Sequence, residues 1–83
     1  MNFNGIWQNT NNQEKIKFSG DGDDYWLEYG EENNKFKTSE QIRLFKTNDQ
    51  HTLLPSSKKF SRSDVYTLSH DKIQIGNDIY IRL

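Results

Sequence analysis

The final stretch, Tyr66-Thr67-Leu68-Ser69-His70-Asp71-Lys72-Ile73-Gln74-Ile75-Gly76-Asn77-Asp78-Ile79-Tyr80-Ile81-Arg82-Leu83, decides the fold. Within a strand running from Phe60 to Ser69, Tyr66 and Leu68 fall on one face and Val65 and Thr67 on the other, the two-residue rhythm of a β-strand. Ser69, His70 and Asp71 supply a polar turn into Lys72–Ile75. Gly76-Asn77 is a two-residue signal of the primed hairpin class, and in the next strand Ile79, Ile81 and Leu83 face one way. Three consecutive strands joined by tight turns make a meander.

The same rhythm extends upstream. Glu14–Ser19 sets Ile16 and Phe18 against Lys15 and Lys17. Residues 19–24, with Gly20, Gly22 and three Asp, turn the chain into Tyr25, Leu27 and Tyr29, which alternate with Trp26 and Glu28. Gly30–Asn34 is a second polar turn, followed by a short strand around Phe36 and another at Gln41–Thr47. Asn48–Gln50 closes that strand, and His51–Leu54 is a further short strand that Pro55, lacking a donor N–H, brings to an end. Residues 55–59 are expected to be loop. Thr38–Phe45, with Ser39 as a cap, is the one segment with a helical alternative; its β-branched, alternating content favours a strand.

About eight short antiparallel strands leave two architectures, a closed up-and-down barrel or two small sheets packed face to face. Closure removes unpaired edges, and this chain has a single Pro and only scattered Lys to protect them. The expected fold is therefore all-β, one domain over residues 1–83, closed or nearly closed into a barrel. Eighty-three residues leave no room for a second domain, and Ile, Leu, Val and Phe contribute only 19 of them, so the core is small and a ligand cavity would remove much of it.

Composition excludes several function classes. A net charge of -1 offers no sustained positive field for nucleic acid or an anionic membrane. With no cysteine there are no disulfides, thiolate metal sites or cysteine nucleophiles. Met1 to Gly5 shows no basic stretch followed by an apolar run, and no ten consecutive residues are apolar, so neither a signal peptide nor a membrane span is expected and the expected location is cytoplasmic.

Gly5-Ile6-Trp7 resembles the G-x-W opening of lipocalins and of small bacterial lipocalin-like domains. The run Tyr66–Ile75 looks like the penultimate hairpin of those bacterial domains. The resemblance implies a miniature calycin-type barrel with Trp7 plugging its base. It also implies that Arg82, in Ile79-Tyr80-Ile81-Arg82-Leu83, is the basic residue that covers the Trp, so that Gly5, Trp7 and Arg82 are structural.

Reactive constellations are sparse. Ser69, His70 and Asp71 are adjacent, but a hydrolytic triad is defined by geometry rather than adjacency, and a polar turn is the expectation. Asp21, Asp23 and Asp24 lack the spacing of a calcium loop. Glu28 is a lone carboxylate among aromatics where a glycosidase needs a pair. No catalytic residue, metal or cofactor is expected.

Binding candidates come from two places. Tyr25 and Tyr29 share a face opposite Trp26, so one side of this strand must carry exposed aromatics. Either Trp26 enters the core and the tyrosines cover its rim, the arrangement favoured on burial, or Tyr25, Trp26 and Tyr29 form a recognition surface. Lys58–Arg62 is a basic stretch around an aromatic, expected as a solvated loop and, as the lesser reading, an anion contact through Lys59, Phe60 and Arg62.

The expected function is non-enzymatic binding of another protein, as an inhibitor, immunity or accessory module, through the outer surface or a strand edge, by a monomer or an edge-paired homodimer. One alternative is carriage of a small apolar ligand at the barrel mouth, lined by Phe18, Leu27, Ile42 or Leu44. The other is an enzyme that completes its site across a dimer.

Overall fold

The computed structural model describes residues 2–48, 50–54, 57–61 and 63–83. Eight antiparallel strands succeed one another around a closed up-and-down barrel: β1 (Gly5–Asn9), β2 (Lys15–Asp21), β3 (Asp24–Glu32), β4 (Lys35–Thr47), β5 (Gln50–Leu53), β6 (Asp64–Ser69), β7 (Lys72–Ile75) and β8 (Asp78–Arg82). Each strand pairs with its sequence neighbour, and β1 closes on β8 with Trp7 opposite Arg82 and Gln8 opposite Ile81. Neither end strand therefore presents an open edge.

Turn chemistry sets the registers. Gly76, at φ +61°, supplies the left-handed residue that the β7–β8 hairpin requires. Asn33 and Asn34 both lie at positive φ, 55° and 65°, and between them reverse the chain from β3 to β4. That pairing corrects one expectation: the strands anticipated around Phe36 and at 41–47 are a single strand, β4, paired with β3 from Lys35 to Arg43. Its polar middle needs no apolar alternation, because Lys37, Thr38 and Ser39 lie exposed along the β3–β4 ribbon. A second correction shortens β6, which begins at Asp64 rather than Phe60. The stop assigned to Pro55 lies outside the described residues.

Inward positions of the strands supply the core, which includes Trp7, Ile16, Phe18, Tyr25, Leu27 and Ile42, continuing around the ring to Leu44, Leu53, Val65, Ile73, Ile75 and Tyr80. Ile79, Ile81 and Leu83 do share a face, and it is the outer one, since β8 turns Tyr80 inward. Phe3 reaches in from ahead of β1 and lies edge-on to Tyr25 at 5.8 Å and tilted against Phe18 at 6.0 Å. At the opposite end Phe60 meets Tyr80 edge-on at 6.1 Å. An eight-stranded barrel is just wide enough for its own side chains, and here they occupy it from end to end.

Closure is secured by one side chain. The Arg82 guanidinium lies over the buried Trp7 ring at 4.2 Å. It donates from Nε and Nη2 to the His70 carbonyl at 3.1 and 2.9 Å, from Nη2 to the Asn2 carbonyl at 2.8 Å, and from Nη1 to the Asn4 carbonyl. Trp7 Nε1 in turn donates to the Phe3 carbonyl at 2.8 Å. Gly5, at φ +129°, passes beneath Arg82, where a Cβ would stand 3.4 Å from Nη1. The expected Gly5, Trp7 and Arg82 grouping is thus assembled in space.

A lysine at position 82 keeps the charge but cannot hold several carbonyls with a planar fork. Arg82→Lys is expected to lower the unfolding free energy by about 2 kcal/mol in urea titration, the scale of losing charge-assisted hydrogen bonds. A loss below about 0.5 kcal/mol, within the range of ordinary surface substitutions, would contradict this role.

Candidate functional site

The strand that carries the aromatic candidates, β3, is oriented by its partners. Phe18 pairs with Leu27 and both point inward, so Tyr25 accompanies Leu27 into the barrel and Trp26 stands outside. Tyr25 is 5% exposed and packs on Phe3 and Phe18; Trp26 is 48% exposed. The favoured expectation, Trp26 in the core with tyrosines at the rim, is therefore reversed. Tyr25 belongs to the core, and Tyr29 is partly buried against it.

Lys59 and Phe60 close one end of the barrel. The Lys59 ammonium pairs with Glu14 at 2.8 Å and lies 5.5 Å from the Tyr29 ring centroid and 5.7 Å from that of Phe60. The loop is held by Glu40, whose carboxylate accepts from the backbone N–H groups of Lys58 and Lys59 at 3.0 and 3.2 Å. The expected solvated loop is instead a packed cap, and the charge of Lys59 is engaged by Glu14 rather than free for an anion. Arg62 lies outside the described residues.

Phe18, Leu27, Ile42 and Leu44, the expected lining of a ligand cup, are between 0% and 4% exposed and fill the interior together. Ser69, His70 and Asp71 form an exposed hairpin turn in which His70 Nε2 lies 3.1 Å from Asp71. Glu28 stands on the outer face, 3.7 Å from Lys17, and Asp24 is bound to Arg43 at 3.1 Å.

Two outer walls then stand out. On the first, Trp26 is alone among polar side chains: Ser19 and Gln41 lie directly across from it on β2 and β4, and shallow grooves flank it on both sides. On the second, the neighbouring strands β8 and β1 bring together the exposed Ile81, Leu83 and Ile6, while Tyr66 and Leu68 are exposed on β6 beyond the polar outward residues Lys72 and Gln74 of β7. Leu83 sits beside Ile6, donating its N–H to the Ile6 carbonyl at 2.8 Å, and the β3–β4 ribbon brings Phe36 to the same crevice. Sequence reading passed over this wall. The shared outward facing of Ile79, Ile81 and Leu83, opposite a Tyr that hides its ring, was the signal available.

No family model, curated protein or solved structure matches this chain. No helix among the described residues is long and apolar enough to cross a membrane.

His51 adds a pH-sensitive contact at the Phe3 end. Its ring meets Phe3 edge-on at 5.0 Å, and Nδ1 is buried without a hydrogen-bond partner. Burial holds its pKa below the ordinary 6.5, with Lys46 lowering it further and Asp23 opposing. A His whose folded pKa is depressed contributes stability above the unfolded value, which is lost as protonation favours the unfolded chain. The urea midpoint is expected to fall as pH drops below about 6.5, and His51→Leu to flatten that slope. An unchanged slope in the variant would assign the pH dependence elsewhere.

The two tryptophans separate by exposure, 48% for Trp26 against 0% for Trp7. Acrylamide is expected to quench one emission component strongly, and Trp26→Phe to remove that component; strong quenching that survives the substitution would contradict the orientation of β3.

Proposed function

We propose that this protein is a non-enzymatic binding module that engages another protein through the outer wall formed by β8 and β1. The observation that carries the reading is the grouping of Ile6, Ile81 and Leu83 on the paired strands β1 and β8, which are 36%, 37% and 62% exposed on a domain with so few large apolar residues to spare. A small domain that leaves aliphatic side chains in one neighbourhood, with Phe36 beside them, has a surface whose burial against a partner is favourable. Because the interior is filled by side chains, recognition falls to the outside. The end strands pair with each other, which favours contact through side chains over addition of a strand at an open edge.

The proposal includes a relationship to small bacterial lipocalin-like domains. Its support is the stacking of Arg82 on Trp7 beneath a Gly5-Ile6-Trp7 opening, in a barrel of eight strands. It also takes the partner to be a cytoplasmic protein, acting in an inhibitor, immunity or accessory relationship.

The test is affinity capture from native lysate with the wild-type chain and with the double variant Ile81→Glu, Leu83→Lys, alongside sedimentation of the isolated protein. A captured protein that the double variant loses, while its melting temperature stays within a few degrees of wild type, is the expected result. Equal capture by both forms, or concentration-dependent self-association as the only interaction the double variant abolishes, would overturn the heterologous reading.

A further inference from the structure

The Trp26 wall differs in kind from the apolar one. Outward positions on β2, β3 and β4 form a grid, with neighbours about 5 Å apart across strands and about 6.6 Å apart along them, and Trp26 occupies its centre. Along its own strand Trp26 lies between Asp24 and Glu28; across the strands it lies between Ser19 and Gln41. Every one of these neighbours is polar. The charges are locally cancelled, Asp24 by Arg43 at 3.1 Å and Glu28 by Lys17 at 3.7 Å. The uncharged Ser19, Ser39 and Gln41 offer both donors and acceptors.

A half-exposed indole ringed by balanced hydrogen-bonding groups demands an unusual ligand. It must present an apolar face to the ring and, around that face, a rim of uncharged groups that both donate and accept. The geometry points to a saccharide site: a pyranose ring of a neutral oligosaccharide stacks its C–H face on Trp26 while its hydroxyls meet Gln41, Ser39 and the flanking carboxylates. Grooves continue on both sides of the indole, one lined by Asp24, Gln41 and Arg43 and the other by Ser19, Glu28 and Ser39. The neighbouring sugar units of a linear chain lie in these grooves, so the site takes at least a trisaccharide.

Two other partners that use exposed tryptophan fit less well. A protein hot spot surrounds its aromatic with contacts that exclude water, and here that would strip water from two ion pairs without replacing their hydrogen bonds. Single-stranded nucleic acid stacks on aromatics within a positive groove, whereas the charges around Trp26 cancel. A sugar brings its own hydroxyls and requires no net charge. The site lies on a different wall from the proposed protein surface, so either can fail without the other.

The experiment titrates the full chain with cellohexaose, chitohexaose, maltohexaose, xylohexaose and laminarihexaose, with oligodeoxythymidine as the stacking control. Binding is tracked through the indole N–H resonances of Trp26 and Trp7 and through calorimetry. At least one oligosaccharide is expected to shift the Trp26 resonance and the Gln41 and Ser39 amides while leaving Trp7 in place. Trp26→Ala is expected to weaken that binding about tenfold or more at unchanged melting temperature, and Trp26→Tyr to recover part of it. The proposal is overturned if no oligosaccharide moves the Trp26 signal up to its solubility limit, if oligodeoxythymidine alone does so, or if Trp26→Ala binds as well as wild type.

Discussion

One guanidinium holds the ends of this chain together. Arg82 sits where three parts of the molecule must agree: the last strand, the segment that precedes the first, and the turn between β6 and β7. Its donors go to main-chain carbonyls of that leading segment and that turn, and its flat face rests on Trp7. The arrangement is strong because charge-assisted hydrogen bonds exceed neutral ones, and Asp71, 3.7 Å from Nε, supplies the opposite charge. Through Trp7 Nε1 the same assembly positions Phe3, so the barrel is plugged by the residues whose closure Arg82 secures.

Closure imposes a division of labour. Inward positions are used up by packing, and both ends are stopped, by Phe3 on one side and by Phe60 with Lys59 on the other. Little is left inside for chemistry or cargo. The outer surface is correspondingly differentiated: aliphatic around Ile6, Ile81 and Leu83, and polar with a single indole around Trp26. These two surfaces suit different ligands for the same physical reason. Apolar area is best covered by more apolar area, and a ring of hydrogen-bonding groups is best covered by something that hydrogen-bonds.

Much of this architecture was legible in the residues. Alternation at Ile16 and Phe18, the Gly76-Asn77 turn and the Gly5-Ile6-Trp7 opening mark the strands and the closing seam because each is a local constraint on backbone or burial. The orientation of β3 was harder, since Tyr25 and Trp26 are both large. The deciding feature was Glu28, which shares a face with Trp26 and belongs in water, while Leu27 shares one with Tyr25. The continuity of β4 was hidden because Lys37, Thr38 and Ser39 lie on a ribbon that buries little, so its sequence carries no apolar rhythm. The two plugs were invisible for a different reason. Phe3 and Phe60 lie outside any strand, and a lone aromatic in a loop has no periodicity to betray where it points.

The central claim is that β1 and β8 are joined as firmly as any neighbouring pair, which makes the molecule a solid closed barrel. Native-state hydrogen exchange measures this directly. Amides of Gln8 in β1 and of Ile81 in β8, which face each other across the seam, should be released only with global unfolding, at the same free energy as Leu27 in β3 and Ile42 in β4. Exchange of the β1 and β8 amides through a separate, lower-energy opening would mean that the seam is loose and the barrel is not closed as described.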